Sequence, residues 1–427
     1  MAEGGRLIIE GRTPLKGTIR VGGSKNGTLP LMAAAIMANR RVRLHNVPDL
    51  ADIRHMGEAL RAAGMDVQFD AGDTVTITTA DAGRTEIGYD VAQTMRASIA
   101  FLGPVLAKRG RVRVALPGGC VIGPRPVDLH LKGLRALGAR IAVDHGFITA
   151  EGGNMKGAHI YLGGNYGSSV LATANVMMAA TAAEGQTVIE HAACEPEIVE
   201  LALFLKELGV PVRGEGSHCI MIEGVKEYED RDIEFTVIPD RIEAGTYLVI
   251  GALAGNDLTV ENVPRLHLGA VIDKLEEAGV RFEWGPGRCR VRPPRTVEPL
   301  DVTTLPYPGY PTDLQAQLMA LLTTVPKNST IIEKVYPDRF MHVGELNRMG
   351  AIIRKEGNIA FIVGVPALSG TQVRASDLRA SAALVVAGLM AEGRTEISDI
   401  HHLDRGYVTM ERKLAAVGAR IERIERV

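Results

Sequence analysis

Little in this sequence would tie the chain to a nucleic acid, a bilayer or a cross-linked scaffold. Its 48 lysines and arginines nearly balance 50 aspartates and glutamates. Bulk charge therefore calls for neither a polyanion nor an anionic membrane, and any anionic ligand has to be held by a local cluster. No stretch approaches the roughly 20 uninterrupted apolar residues of a membrane span, and the opening MAEGGRLIIEGRTPLKG has no apolar signal core. No membrane insertion and no nucleic-acid partner are expected, and the expected location is the cytoplasm. Only four cysteines occur, Cys120, Cys194, Cys219 and Cys289, far apart and without CxxC spacing. That argues against a zinc site or a disulfide framework and in favour of free thiols.

What the chain has in abundance is repetition. At 427 residues, two domains of about 200 residues are the expectation. The segments LRAAGMDV, LRALGARI, LKELGVPV, LEEAGVRF, LNRMGAII and LAAVGARI place Gly64, Gly138, Gly209, Gly279, Gly350 and Gly418 at intervals of 68 to 74 residues. Each reads as the end of an amphipathic helix, a glycine in the left-handed C-cap and then an alternating strand. Each repeat also holds a far more apolar helix, such as SSVLATANVMMAATAA or PTDLQAQLMALLTTV. Hydrophobic nearly all round, these helices should be buried. Short strands such as VRLHNV and LTVENV follow them. A repeat this long exceeds the common solenoid modules, so three repeats closed into each of two α/β domains are predicted.

Polar residues gather where the buried helices begin. Lys25 with Asn26, Arg96, Ser168 with Ser169, Asp240, Asp313 and Arg379 occupy corresponding places in the six repeats. If the buried helices of a domain point the same way, their N-termini converge. Unpaired N–H groups and about half a positive charge at each N-terminus would then attract anions, phosphate above all. Cations at such ends run against the dipole, so Lys25, Arg96 and Arg379 point to a ligand clamp rather than to caps. Cys120, in LPGGCVIGPRPVDLH, sits between Gly118–Gly119 and Arg125 in a loop leading to an amphipathic helix, with His130 further on. Cationic neighbours and a helix N-terminus favour a thiolate there. Cys194 occupies the equivalent loop of the third repeat, where Glu195 and Glu197 disfavour one. Cys120 is the candidate reactive cysteine and Cys194 its control.

The stretches GSKNGTLPLM, TMRASIAFLGP, LPGGCVIGPRPVDLH, CEPEIVEL, PDRIEAGTYL, PTDLQAQ, RFMHVGELNRMGA, DLRASAALVVAGL and HLDRGY run essentially end to end. On them the chain resembles the enolpyruvyl transferase family, in its branch acting on a UDP-sugar. The resemblance implies two inside-out α/β barrel domains of three repeats each, with the active site in the interdomain cleft. One domain would comprise residues 1–23 and 237–427, the other residues 24–236 with the Cys120 loop. The implied reaction moves the enolpyruvyl group of phosphoenolpyruvate to the 3-hydroxyl of UDP-N-acetylglucosamine and releases phosphate, at the start of peptidoglycan precursor synthesis. It uses no metal or other cofactor, and the two small molecules are the partners.

By motif match, the resemblance gives Asp313 the role of base or proton relay and Cys120 that of acid and covalent attachment point. Lys25, Arg125 and Arg405 would hold phosphoenolpyruvate, and Asn26 would orient the sugar. Arg96, the run Arg125, Pro126, Val127, Asp128 and Leu129, then Ser168, Ser169, Val170 and Val335 match UDP-sugar contacts. Arg339 and Arg379 match further cleft arginines. For Asp240, Glu195 and Glu197, capping or pairing accounts for the match at least as well. Leu171 and Gly167 depart from the glycine and lysine common in the family, both in the loop expected to take the diphosphate. The related shikimate-pathway synthase lacks the PGGC cysteine. A non-catalytic nucleotide-sugar binder is disfavoured by the joint presence of Lys25, Cys120, Asp313 and Arg405.

Overall fold

A computed structural model describes residues 5–90, 96–116 and 127–425, with the side chains of residues 96 and 97 excepted. Cys120, Arg125 and Pro126 lie outside the described residues. Twelve α-helices occur among those residues, in two alternating kinds. The apolar ones are α1 (Lys25–Ala34), α3 (Leu102–Arg109), α5 (Val170–Ala180), α7 (Arg241–Gly251), α9 (Gln315–Leu322) and α11 (Leu378–Met390). They are buried along most or all of their length. Small residues let them approach closely: a Cβ on Gly103 of α3 would lie 2.3 Å from the carbonyl oxygen of Asn175 on α5.

The amphipathic kind comprises α2 (Ala51–Ala62), α4 (Asp128–Ala136), α6 (Pro196–Glu207), α8 (Gly269–Glu277), α10 (His342–Arg348) and α12 (Met410–Ala416). The glycines that follow all six lie at φ between +80° and +102°. This left-handed region penalises any residue with a Cβ, so the recurring glycine is the helix stop.

Among the described residues the strands form six four-stranded sheets, each with one parallel edge pair and two antiparallel pairings. In one sheet Ile233–Thr236 runs parallel to Val42–His45. That strand pairs antiparallel with Val75–Thr79, and Val75–Thr79 pairs antiparallel with Met65–Phe69. In strand Val42–His45 the inward Val42 and Leu44 are fully buried, and the alternate residues are partly exposed. Four strands end at a non-glycine residue of positive φ: Asn46, His191, Asn262 and Asp399, at φ +56° to +60°. Asn and Asp tolerate that conformation best. Asn46 donates to the carbonyl of Val237 at 2.8 Å, and Asn262 to that of Val21 at 2.9 Å.

The chain divides into two compact units, Met1–Gly22 with Pro239–Val427, and Gly23–Ile238. Each contains three of the sheets and three of the buried helices. In the first unit, strand Arg6–Glu10 lies between Arg394–Ser398 and Arg420–Ile424, and Lys16–Arg20 pairs with Asp257–Glu261. The architecture is inside-out: helices form the interior and sheets the exterior.

Candidate active site

In the unit containing the C-terminus, Asp240 is the N-cap of α7 and accepts from the amides of Ile242 (2.8 Å) and Glu243 (3.0 Å). Asp313 lies in a 3₁₀ turn, Thr312–Leu314, that leads into α9. Its Oδ1 is 2.7 Å from Arg339 Nη1, and its Oδ2 is 2.7 Å from Arg379 Nη2. Arg379 is the second residue of α11, whose N-cap Asp377 accepts from the amides of Arg379 and Ala380. The two arginine side chains are 8% and 5% exposed and Asp313 is 24% exposed, so the carboxylate is the member that faces solvent. Burial pulls the Arg379 pKa down, but Asp313, together with Tyr407 and Asp240, outweighs it and the net change is upward.

One phenol joins the three buried helices of this unit. Tyr407 Oη is 2.8 Å from Thr246 Oγ1 on α7 and accepts from Gln317 Nε2 on α9 (3.2 Å) and Arg379 Nη1 on α11 (3.5 Å). The N-terminal halves of α7, α9 and α11 thus meet, with Asp313 at their open end. Arg405 closes a 3₁₀ turn, Ile400–Arg405, and is partly exposed. Val335 follows strand Asn328–Glu333, and its amide donates to Glu333 at 2.8 Å.

In the other unit, Lys25 is the first residue of α1, behind the Ser24 cap that accepts from Gly27 N at 3.1 Å. Its ammonium lies 3.3 Å from Asp52 in the first turn of α2, with the two side chains 12% and 8% exposed. Asp52 offsets the unfavourable dipole that a cation meets at this helix end. Asn26 comes next on α1. Ser169 is the N-cap of α5, accepting from Ala172 N at 3.3 Å, and Val170 is the first helical residue. Leu171 therefore belongs to the first turn of α5 and not to the preceding loop, a correction to the expectation. Gly167, at φ +94°, exchanges two backbone hydrogen bonds with Gly164 in the turn before Ser168. A Cβ on Gly164 would sit 3.0 Å from Leu129 Cδ1. This places the start of α4, with Val127 in the N-cap position and exposed Asp128 as first residue, beside that turn.

The Arg96 backbone opens the 3₁₀ turn ahead of α3. Asn175 of α5 ties that region down, accepting from Gly103 N (2.7 Å) and donating to Ile99 O (2.9 Å). Its amide also meets His130 Nδ1 at 2.8 Å. His130 corrects a second expectation: burial, opposed by Asp128, pushes its pKa down to about 4, so at neutral pH it supplies no cation to the Cys120 loop. Burial first, then Glu195, pushes the Cys194 thiol up, and burial pushes Cys289 up to about 12.

Among the residues that sequence reasoning missed, Asp52 and Glu333 carry no local signal, whereas Asn175, Thr312 and Tyr407 were in view within SSVLATANVMMAATAA, PTDLQAQ and HLDRGY. Cys120, Arg125 and Pro126 lie outside the described residues, as does the Arg96 side chain.

The fold and these helix starts define an enolpyruvyl transferase architecture. The enolpyruvyl transferase NikO from Streptomyces tendae superposes with a TM-score of 0.88 at 25% identity, covering 100% of both chains. The EPSP synthase from Acinetobacter baumannii superposes at 0.73 with 19% identity over 98% of this chain and 100% of that one, a likeness of fold. The sequence matches the EPSP synthase (3-phosphoshikimate 1-carboxyvinyltransferase) family over residues 9–414, and the chain belongs to that family. Within it, UDP-N-acetylglucosamine 1-carboxyvinyltransferase 2 of Carboxydothermus hydrogenoformans is 50% identical, covering 98% of this chain and 99% of its own. UDP-N-acetylglucosamine 1-carboxyvinyltransferase 1 of Caldanaerobacter subterraneus subsp. tengcongensis is 49% identical over the same shares.

Proposed function

We propose that this chain transfers the enolpyruvyl group of phosphoenolpyruvate to the 3-hydroxyl of UDP-N-acetylglucosamine and releases phosphate. The observation that carries the reading is the 50% identity to the Carboxydothermus carboxyvinyltransferase, over 98% of the chain. Addition joins the sugar oxygen to C2 of phosphoenolpyruvate and a proton to C3. Elimination then breaks the bond from C2 to the phosphate oxygen and removes a proton from C3. These steps need an acceptor for the hydroxyl proton, a donor for the methylene, and cations for phosphate and carboxylate.

Asp313 is the acceptor in this reading. Two guanidiniums favour its carboxylate over its acid form, so its contribution is position more than basicity. Arg339 and Arg379 act on substrate through it. Cys120 is the proton donor and the attachment point for phosphoenolpyruvate, with Lys25, Arg125 and Arg405 holding the phosphate and carboxylate. Asn26 orients the sugar, and Arg96, Pro126, Val127, Asp128, Leu129, Ser168, Ser169, Val170 and Val335 serve the nucleotide sugar. The product would feed peptidoglycan synthesis in the cytoplasm, and through it cell shape and division.

Phosphate release from phosphoenolpyruvate, measured with UDP-N-acetylglucosamine and separately with shikimate 3-phosphate, tests the reading. Release with the nucleotide sugar is expected. Release only with shikimate 3-phosphate overturns it.

A further inference from the structure

Glu333, the last residue of strand Asn328–Glu333, is 0% exposed. Its Oε1 accepts from Thr304 Oγ1 (2.6 Å), Val335 N (2.8 Å) and Tyr336 N (2.9 Å). Its Oε2 accepts from Thr312 Oγ1 at 2.9 Å. Four donors take the place of water around a carboxylate that the fold has fully desolvated, and they satisfy both oxygens.

The bond to Thr312 has a direction. A carboxylate can only accept, so the threonine hydroxyl has to donate to it, and the lone pairs of Oγ1 are turned elsewhere. Arg339 Nη1 lies 3.1 Å from that oxygen and donates to it. The same Nη1 is the one 2.7 Å from Asp313 Oδ1. A chain therefore runs from Glu333 through the Thr312 hydroxyl and the Arg339 guanidinium to Asp313, with every donor assigned. The other Glu333 oxygen holds the Val335–Tyr336 turn, and the Arg339 guanidinium carbon sits over the Tyr336 ring, 5.6 Å from its centre.

We propose that Glu333 is a positioning residue that couples the Val335–Tyr336 turn to Asp313, setting through Thr312 and Arg339 the orientation in which Asp313 receives the substrate proton. The inference rests on the functional reading above, in which Val335 meets the nucleotide sugar and Asp313 is the proton acceptor. A neutral residue could cap the turn, but only an obligate acceptor fixes the polarity of the Thr312 hydroxyl.

The test compares Glu333→Gln, Thr312→Val and Thr312→Ser in steady-state kinetics and kcat against pH. Thr312→Val removes the relay and leaves the turn's bonds to Glu333 intact. It should lower kcat by about 10-fold or more, in the lower range for a group that orients a proton acceptor, with KM for UDP-N-acetylglucosamine little changed. The acid limb of its pH profile should move upward, because Arg339 is less firmly held on Asp313. Thr312→Ser, which keeps the hydroxyl, should restore both. Glu333→Gln should lower kcat and also raise KM for the nucleotide sugar. If that variant fails to fold, the two Thr312 variants decide the matter alone. A Thr312→Val enzyme with wild-type kcat and pH profile, or a Thr312→Ser enzyme as impaired as Thr312→Val, overturns the proposal. Wild-type enzyme run alongside keeps the two readings apart: if it releases no phosphate with UDP-N-acetylglucosamine, it is the functional reading that has failed.

Discussion

Two buried glutamates hold the chain where it passes between the units, and the difference between them yields a sharp prediction. Glu243 Oε2 accepts from Gly22 N at 2.7 Å, and Glu200 Oε1 accepts from Ile238 N at 2.7 Å. Glu243 has an ammonium partner, Lys413, at 2.7 Å. Glu200, on α6 and 1% exposed, has only the amide: among the described residues its Oε2 has no hydrogen-bond partner, and Glu197 lies near. Burial, followed by repulsion from Glu197 and opposed by the Ile238 amide, pushes its pKa from 4.5 up to about 8. A raised carboxyl pKa means the folded chain keeps a proton that the unfolded chain loses. The stability it contributes is complete below pH 4.5 and is lost as pH rises through about 8. At about 1.4 kcal/mol per pH unit, the ceiling is roughly 5 kcal/mol, out of a typical total of about 5–15 kcal/mol. Glu200→Gln stays neutral and escapes the loss. Its Tm, followed by calorimetry from pH 5 to 9, should gain steadily on wild type. Even about 1 kcal/mol of the difference moves Tm by about 2–4 °C in a unit of this size. Parallel Tm curves across that range would refute the reasoning.

Other outcomes follow from the same contacts. A Cβ on Gly27 would lie 2.1 Å from Glu200 Oε2, so Gly27→Ala should cost about 1–3 kcal/mol in chemical denaturation. Adding Glu200→Asp, which draws the carboxylate back, should recover part of it, and strict additivity would count against the contact. Asp313→Asn sets two buried guanidiniums against a neutral amide, so Tm should fall and kcat should drop about 10²–10⁴-fold; near-normal kcat removes Asp313 from the chemistry. Fosfomycin, an epoxide whose ring carbon would bond to sulfur as its C–O bond opens, should alkylate Cys120 in the presence of UDP-N-acetylglucosamine, and Cys120→Asp should resist it while retaining activity. Peptide mass spectrometry showing the adduct at Cys194, Cys219 or Cys289 instead would contradict that assignment. Asn175→Ala strips Gly103 N and Ile99 O of their partner inside the core, which should destabilise by about 2–4 kcal/mol from the unsatisfied groups.

The repeat was legible because its signals are local. A glycine at φ +80° or more, an all-apolar helix and an alternating strand each declare themselves within a few residues, and six copies make the pattern unmistakable. The helix starts were legible for the same reason, and Ser169, Asp240, Lys25 and Arg379 stand at or beside caps. What those charges do was not legible. Lys25 and Arg379 read as free cations, yet Lys25 pairs with a carboxylate 27 residues away and Arg379 with one 66 residues away. Nothing in the intervening sequence marks the partner. His130 read as a cation near a cysteine, and burial against Asn175 makes it neutral.

The sequence by itself determined the architecture: periodicity and cap chemistry are set by neighbours within a turn or two, so they survive whatever the rest of the chain does. Only the tertiary structure decided the electrostatics, which carboxylate neutralises which guanidinium, which glutamate lacks a cation, and which hydroxyl has to donate. Coulomb energy and desolvation depend on distance and burial in three dimensions, and helix packing sets both between residues the sequence keeps far apart.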